Sequence, residues 1–119
     1  MSDRLIGYQL ALREGVLQSE GEVAPALRQS VEALAARVSG AERSGFSEQL
    51  PEELATYVTT VALHAYRVTD EDIEVLRQAG YSDDALFEIT VSAALGAGVA
   101  RFEQGLKALK GALHATQDA

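Results

Sequence analysis

The chain holds only two prolines, Pro25 and Pro51, and each stands where a helix can begin. Proline inside a helix removes a backbone hydrogen bond and collides with the preceding turn, whereas in the first turn its missing N–H would have been unpaired anyway. The 68 residues after Pro51 are therefore free of the strongest helix breaker, and no β-branched alternation marks a strand among them. Where that run stops and restarts, it does so by capping. Thr69 is placed as an N-cap with Asp72 three residues on, an acidic form of the capping box. Asp70, Glu71 and Asp72 fill the first turn, where negative charge meets the helix dipole. Gly80 ends this helix, and Ser82 caps the next with Asp83 and Asp84 behind it.

The same logic covers the rest. A first helix is predicted near Asp3–Gln18, with Leu5, Ile6, Tyr8, Leu10 and Leu17 only loosely periodic. The run "SEGE" breaks it. A second spans about Val23–Val38, where Leu27, Val31, Leu34, Ala35 and Val38 recur at three and four and make one apolar face. Gly40 stops it, and "SGAERSGFSEQ" reads as a polar, flexible loop. A third helix runs from Pro51 to about Tyr66, a fourth follows Thr69, and a fifth runs from Asp83 past Leu109, with Arg101, Lys107 and Lys110 toward its C-terminal end. The expected fold is all-α, a single-domain bundle of about five helices over 1–119, with 1–20 a helical extension and 50–110 the core.

Composition narrows function more by exclusion than by assignment. A chain of 119 residues, 47% hydrophobic and 24% charged, can bury a real core. Cysteine is absent, which removes disulfides, thiolate nucleophiles and thiolate metal ligands. A net charge of −8 disfavours both a phosphate backbone and an anionic membrane surface. No stretch approaches 18 uncharged apolar residues, so no membrane span is expected, nor is a signal peptide read at the start. A cytoplasmic location, with no nucleic-acid or membrane partner, no cofactor and no metal, is the resulting expectation.

Candidate chemistry concentrates on the third helix. Glu53, Tyr57, Thr60 and His64 are spaced four, three and four, which places them in one stripe. Glu53 joined to His64 through water would form a proton-transfer pair, with Tyr57 between them in the stripe. The alternative is a solvated face, since Val58, Val61, Ala62 and Ala65 supply the apolar side. Tyr66 and Arg67 close the helix and are candidates for anion binding. The acidic run Asp70–Glu74 lacks the glycine turn and spacing of a calcium loop, and helix capping accounts for it. In "SAALGAGVA", Gly96 and Gly98 each cost about 1 kcal/mol against alanine in a helix interior. Close approach of another backbone would offset that. A tight crossing inside the chain is the first reading; a subunit interface through Ala93, Gly96, Ala97, Gly98 and Ala100 is the second, and a ligand cavity beside the glycines the third.

A short helix ending in "AG", followed by "YSDDALFEITVSAALGAGVARF", resembles the alkylhydroperoxidase D-like and carboxymuconolactone decarboxylase superfamily, over about Glu53–Gly105. The resemblance implies a helical fold and a ring-like homo-oligomer, a trimer or hexamer. Peroxidase members carry two cysteines three apart, a histidine four after the second, a glycine eight beyond that, and a glutamate twelve before the first cysteine. Aligned on Gly80, the histidine position falls on Asp72, the cysteine positions on Val68 and Ala65, and the glutamate on Glu53. Methyl and isopropyl groups form no thiolate, so thiol peroxidase chemistry is excluded. The decarboxylase branch keeps the histidine, which this chain lacks. Three functions stay open: a non-catalytic oligomer binding a small molecule or a partner such as a cysteine-bearing relative; a cysteine-independent enzyme using Glu53 and His64 on a small organic acid or lactone; and a structural interaction domain.

Overall fold

Thr69 begins a helix by the expected reciprocal bonds. Its hydroxyl accepts the Asp72 N–H at 3.2 Å, and an Asp72 carboxylate oxygen accepts the Thr69 N–H at 2.9 Å. The computed structural model describes residues 3–43 and 49–118 and arranges them as α1 (Asp3–Gln18), α2 (Pro25–Val38), α3 (Glu52–His64), a 3-10 turn (Ala65–Arg67), α4 (Asp70–Gln78) and α5 (Asp83–Asp118). No strand occurs among the described residues, and the architecture is a small all-α bundle. Part of the loop expected to be flexible, residues 44–48, lies outside the described residues.

Local chemistry sets most boundaries. Pro25 occupies the first turn of α2. α2 and α4 end alike. Gly40 and Gly80 take φ of 104° and 103°, a left-handed conformation that suits glycine. The next residue then donates back into the helix, Ala41 to the Ala36 carbonyl and Tyr81 to that of Leu76, the hydrogen-bond pattern of a Schellman end. Ser82 Oγ accepts the Ala85 N–H at 3.1 Å and starts α5. One boundary differs from expectation. α3 stops at His64 because its backbone leaves the helical region (φ −147°, ψ 54°), and Ala65–Arg67 continue as a tighter turn.

The main packing is α2 against α5, with α3 across both, α4 on α3, and α1 more loosely on α2 and α5. Val31 and Ala35 of α2, Leu54, Val58 and Ala62 of α3, Leu76 of α4, and Leu86, Ile89, Ala93 and Ala97 of α5 form one continuous core. The α2–α5 crossing is close because of Gly96. A methyl group placed there would lie 2.3 Å from the Glu32 carbonyl oxygen. At Gly96 this is the tight crossing inside the chain, the first of the readings, and it takes Ala93, Gly96, Ala97 and Ala100 out of the subunit-interface reading. Ala93, Gly96, Ala97 and Ala100 are all buried inside the chain, and the cost of Gly96 is offset within it. Gly98 is different: it is exposed, and a methyl there would meet nothing within 4 Å.

Long-range polar contacts tie the helix ends together. The Glu88 carboxylate on α5 accepts the N–H groups of Glu22 and Val23 at 3.0 and 2.9 Å, clasping the α1–α2 loop. Arg28, buried on α2, donates to the carbonyls of Val23 (3.1 Å), Val16 (2.6 Å) and Ser19, and to the Ser19 hydroxyl at 3.2 Å. Arg101 donates to the Ala62 carbonyl at 2.6 Å, near the end of α3. Glu32, only 2% exposed, meets Arg13 at 3.4 Å and Arg43 at 3.5 Å.

The shape is elongated. The radius of gyration is 16.1 Å and the extents are 59 × 29 × 23 Å, where a rounded chain of this length would have a radius of about 13.5 Å. The cause is α5. At 1.5 Å per residue its 36 residues span about 54 Å, and its second half runs on past the bundle. α5 also contains an 18-residue window of mean hydropathy 1.4, long and apolar enough for a membrane span by length and composition; half of that window is buried in the bundle. The sequence holds no uncharged apolar run of that length, so the window shows only in its mean hydropathy.

Candidate functional site

The stripe on α3 does not stay together. Glu53 lies in the first turn of the helix and His64 is its last residue, so roughly 16 Å of helix separates them. His64 is exposed and sets its ring edge-on to Tyr66, with centroids 6.0 Å apart. It takes no part in the cleft that holds Glu53, which is lined by Glu52, Glu53, Thr56, Tyr57, Thr60, Asp72 and Val75. The Glu53–His64 proton-transfer pair is therefore not assembled. Eleven residues of axial rise decide the distance.

Tyr57 and Glu53 do come together, with unlike environments. Tyr57 is buried, and its hydroxyl lies 2.6 Å from the Thr90 hydroxyl on α5. Thr90 in turn donates to the Leu86 carbonyl at 2.7 Å, so the Tyr57 hydroxyl is the donor between the two. Its proton is committed to a structural bond. The stripe is thus not one wet face: Tyr57 turns inward beside Leu54 and Val58, while Glu53 stays exposed. Thr60 donates to the Thr56 carbonyl at 2.9 Å. Asp72 reaches the cleft from α4, with one carboxylate oxygen engaged in the capping box.

The cleft, about 370 Å³, lies between α3 and α4, and three carboxyl groups reach it. Tyr81 belongs to its surroundings, and sequence reading gave it no role. Burial, and then the charge of Glu53, push the Tyr81 phenol above its ordinary range, because both disfavour the phenolate. The only advance signal was that Tyr81 follows Gly80, the helix stop.

Tyr66 and Arg67 lie on the 3-10 turn, exposed, with the Arg67 guanidinium carbon 5.6 Å from the centre of the Tyr66 ring. They form a cation–π pair on open surface rather than the wall of a cleft. A second concavity, about 420 Å³, lies between α1 and α5. It is almost wholly apolar, lined by Tyr8, Gln9, Leu12, Ala94, Leu95, Gly98, Val99 and Phe102. Gly98 of the expected interface belongs to this groove. Compared with known proteins, the chain matches no family model, no curated protein and no solved structure.

Proposed function

We propose that this chain is a cysteine-less relative of the alkylhydroperoxidase D-like and carboxymuconolactone decarboxylase superfamily that binds a small molecule in the α3–α4 cleft and works as a homo-oligomer. The observation that carries the binding reading is the chemistry of the cleft. Glu52, Glu53 and Asp72 converge with the hydroxyls of Thr56 and Thr60, and no histidine, lysine or thiol accompanies them. Carboxylates and hydroxyls at the mouth of a cleft this size suit a compact cationic ligand, by charge and hydrogen bonding. The family part of the proposal is supported by the helix order around Gly80 and by the alanine- and glycine-rich α5 that follows it.

A short aliphatic diamine is the first probe. Isothermal titration should show saturable one-site binding by wild type, weakened about tenfold in Glu53→Gln, the equivalent of one charge-assisted contact. Binding that Glu53→Gln leaves unchanged, or no binding by any small amine, removes the cleft from the proposal. Steady turnover of an alkyl hydroperoxide by metal-free protein would refute the non-peroxidase reading.

A further inference from the structure

α5 carries a second periodicity that its packing in the bundle does not use. Leu95, Val99, Phe102, Leu106, Leu109 and Leu113 are spaced four, three, four, three and four. That is a seven-residue repeat, the seam along which one helix pairs with another. Over its first half the seam borders the α1–α5 groove, where Val99 is buried and Leu95 and Phe102 form the wall. Over its second half it projects beyond the bundle. Phe102 is 43% exposed, Leu109 48% and Leu113 54%, while Tyr8 and Leu12 are exposed across the groove. Gly98 and Gly105 flank the seam on one side with nothing within 4 Å. No contact among the described residues offsets their cost to the helix, whereas a second helix could approach closely over them.

From this we infer that α5 is the self-association surface, and that it pairs antiparallel with α5 of a second copy about a two-fold axis near Leu106. The inference rests on the homo-oligomer part of the proposed function and names its surface. Two observations choose this occupant. First, the seam is self-complementary: each copy has an apolar groove at one end and projecting leucines at the other. Antiparallel pairing seats Leu109 and Leu113 of one copy against Phe102 and Val99 of the other, and the reverse, which closes the pair. Second, the charges match. Glu103 and Lys110 occupy equivalent places in successive repeats, on the side of the seam away from Gly98 and Gly105. About a two-fold near Leu106 each Glu103 faces Lys110 of the other copy, twice per pair. A parallel pair would set each of them opposite the glycine side. Glu103 is held beside the seam by Arg43 at 3.5 Å. A lipid surface fits less well, because Arg101, Glu103, Lys107 and Lys110 distribute charge around the projecting half.

The chain has no cysteine, so single cysteines report geometry without interference. Leu106→Cys should oxidise to a covalent dimer, since the two copies meet at that residue. Leu113→Cys should not, because antiparallel pairing holds the two copies of that residue roughly 20 Å apart. Equal cross-linking at both positions overturns the antiparallel arrangement while leaving oligomerisation in place. In sedimentation, Glu103→Lys and Lys110→Glu should each raise the dimer dissociation constant on the order of tenfold. The double swap should restore it, which a loss of the Arg43 contact alone would not allow. Failure of the double swap to restore association overturns the pairing. Wild-type protein that stays monomeric throughout a micromolar concentration series, or that floats with neutral phosphatidylcholine vesicles instead of self-associating, overturns both the surface and the homo-oligomer reading. Diamine binding in the cleft is a separate measurement that none of these outcomes decides.

Discussion

Gly96 and Gly98 share a helix and a residue type, yet substitution should move stability in opposite directions. A Cβ at 96 would press on the Glu32 carbonyl at 2.3 Å and on Ala35 Cβ at 3.0 Å. Gly96→Ala should therefore lower the denaturant midpoint by the equivalent of about 2 kcal/mol, as overpacking does. A Cβ at 98 meets nothing. Gly98→Ala should raise the midpoint by about 1 kcal/mol, the helix-propensity gain, measured where the protein is dilute. In the sequence the two glycines look alike, because helical periodicity gives a position on the helix but not which neighbour lies there. Tyr81 supplies a second test. Its raised phenol pKa means that the folded state holds this proton more tightly than the unfolded chain. The stability linked to it is complete below the ordinary tyrosine pKa and is lost as pH rises through the folded value. Glu53→Gln removes one of the two causes. Phenolate absorbance of that variant, with Tyr81→Phe as the difference control, should show Tyr81 ionising at lower pH than in wild type.

Helix boundaries were the most legible feature of the sequence, because their determinants are local. Thr69, Gly80 and Ser82 all act within a few residues, and each has the role its chemistry predicts. Thr69→Ala should cost about 1 kcal/mol in a denaturation experiment and Thr69→Ser much less, since serine keeps the accepting hydroxyl. An equal loss for both would mean that the threonine methyl, not the cap, matters. The α3 stripe was legible only in part. Periodicity placed Glu53, Tyr57 and His64 on related faces. It could not show that Tyr57 is claimed by Thr90, thirty-three residues on, or that helix length alone separates the two titratable ends. Arg28 and Glu32 were missed for the same reason. Arginine and glutamate on a predicted surface helix read as solvated, and only the folded chain brings carbonyls to one and guanidinium groups to the other.

At the scale of the molecule, Arg28 is a polar anchor of the α1–α2 connection. The side chain satisfies carbonyls at both ends of the α1–α2 connection. Arg28→Met fills similar space but leaves those acceptors unpaired, and should destabilise by about 3 kcal/mol. The loss should be local first: limited proteolysis should cut near 19–23 in the variant under conditions that leave wild type whole, while α3–α5 stay protected. The α2–α5 crossing carries a different consequence, one of timing. The core face of α2 finds its principal cover in a helix more than forty residues further along the chain. During synthesis Val31 and Ala35 leave the ribosome with that cover still unmade, and Glu88, which clasps residues 22 and 23, follows sixty-five residues after Val23. The bundle consequently closes late, and until α5 emerges the nascent chain displays much of the apolar side of α2 to whatever chaperone stands at the exit tunnel.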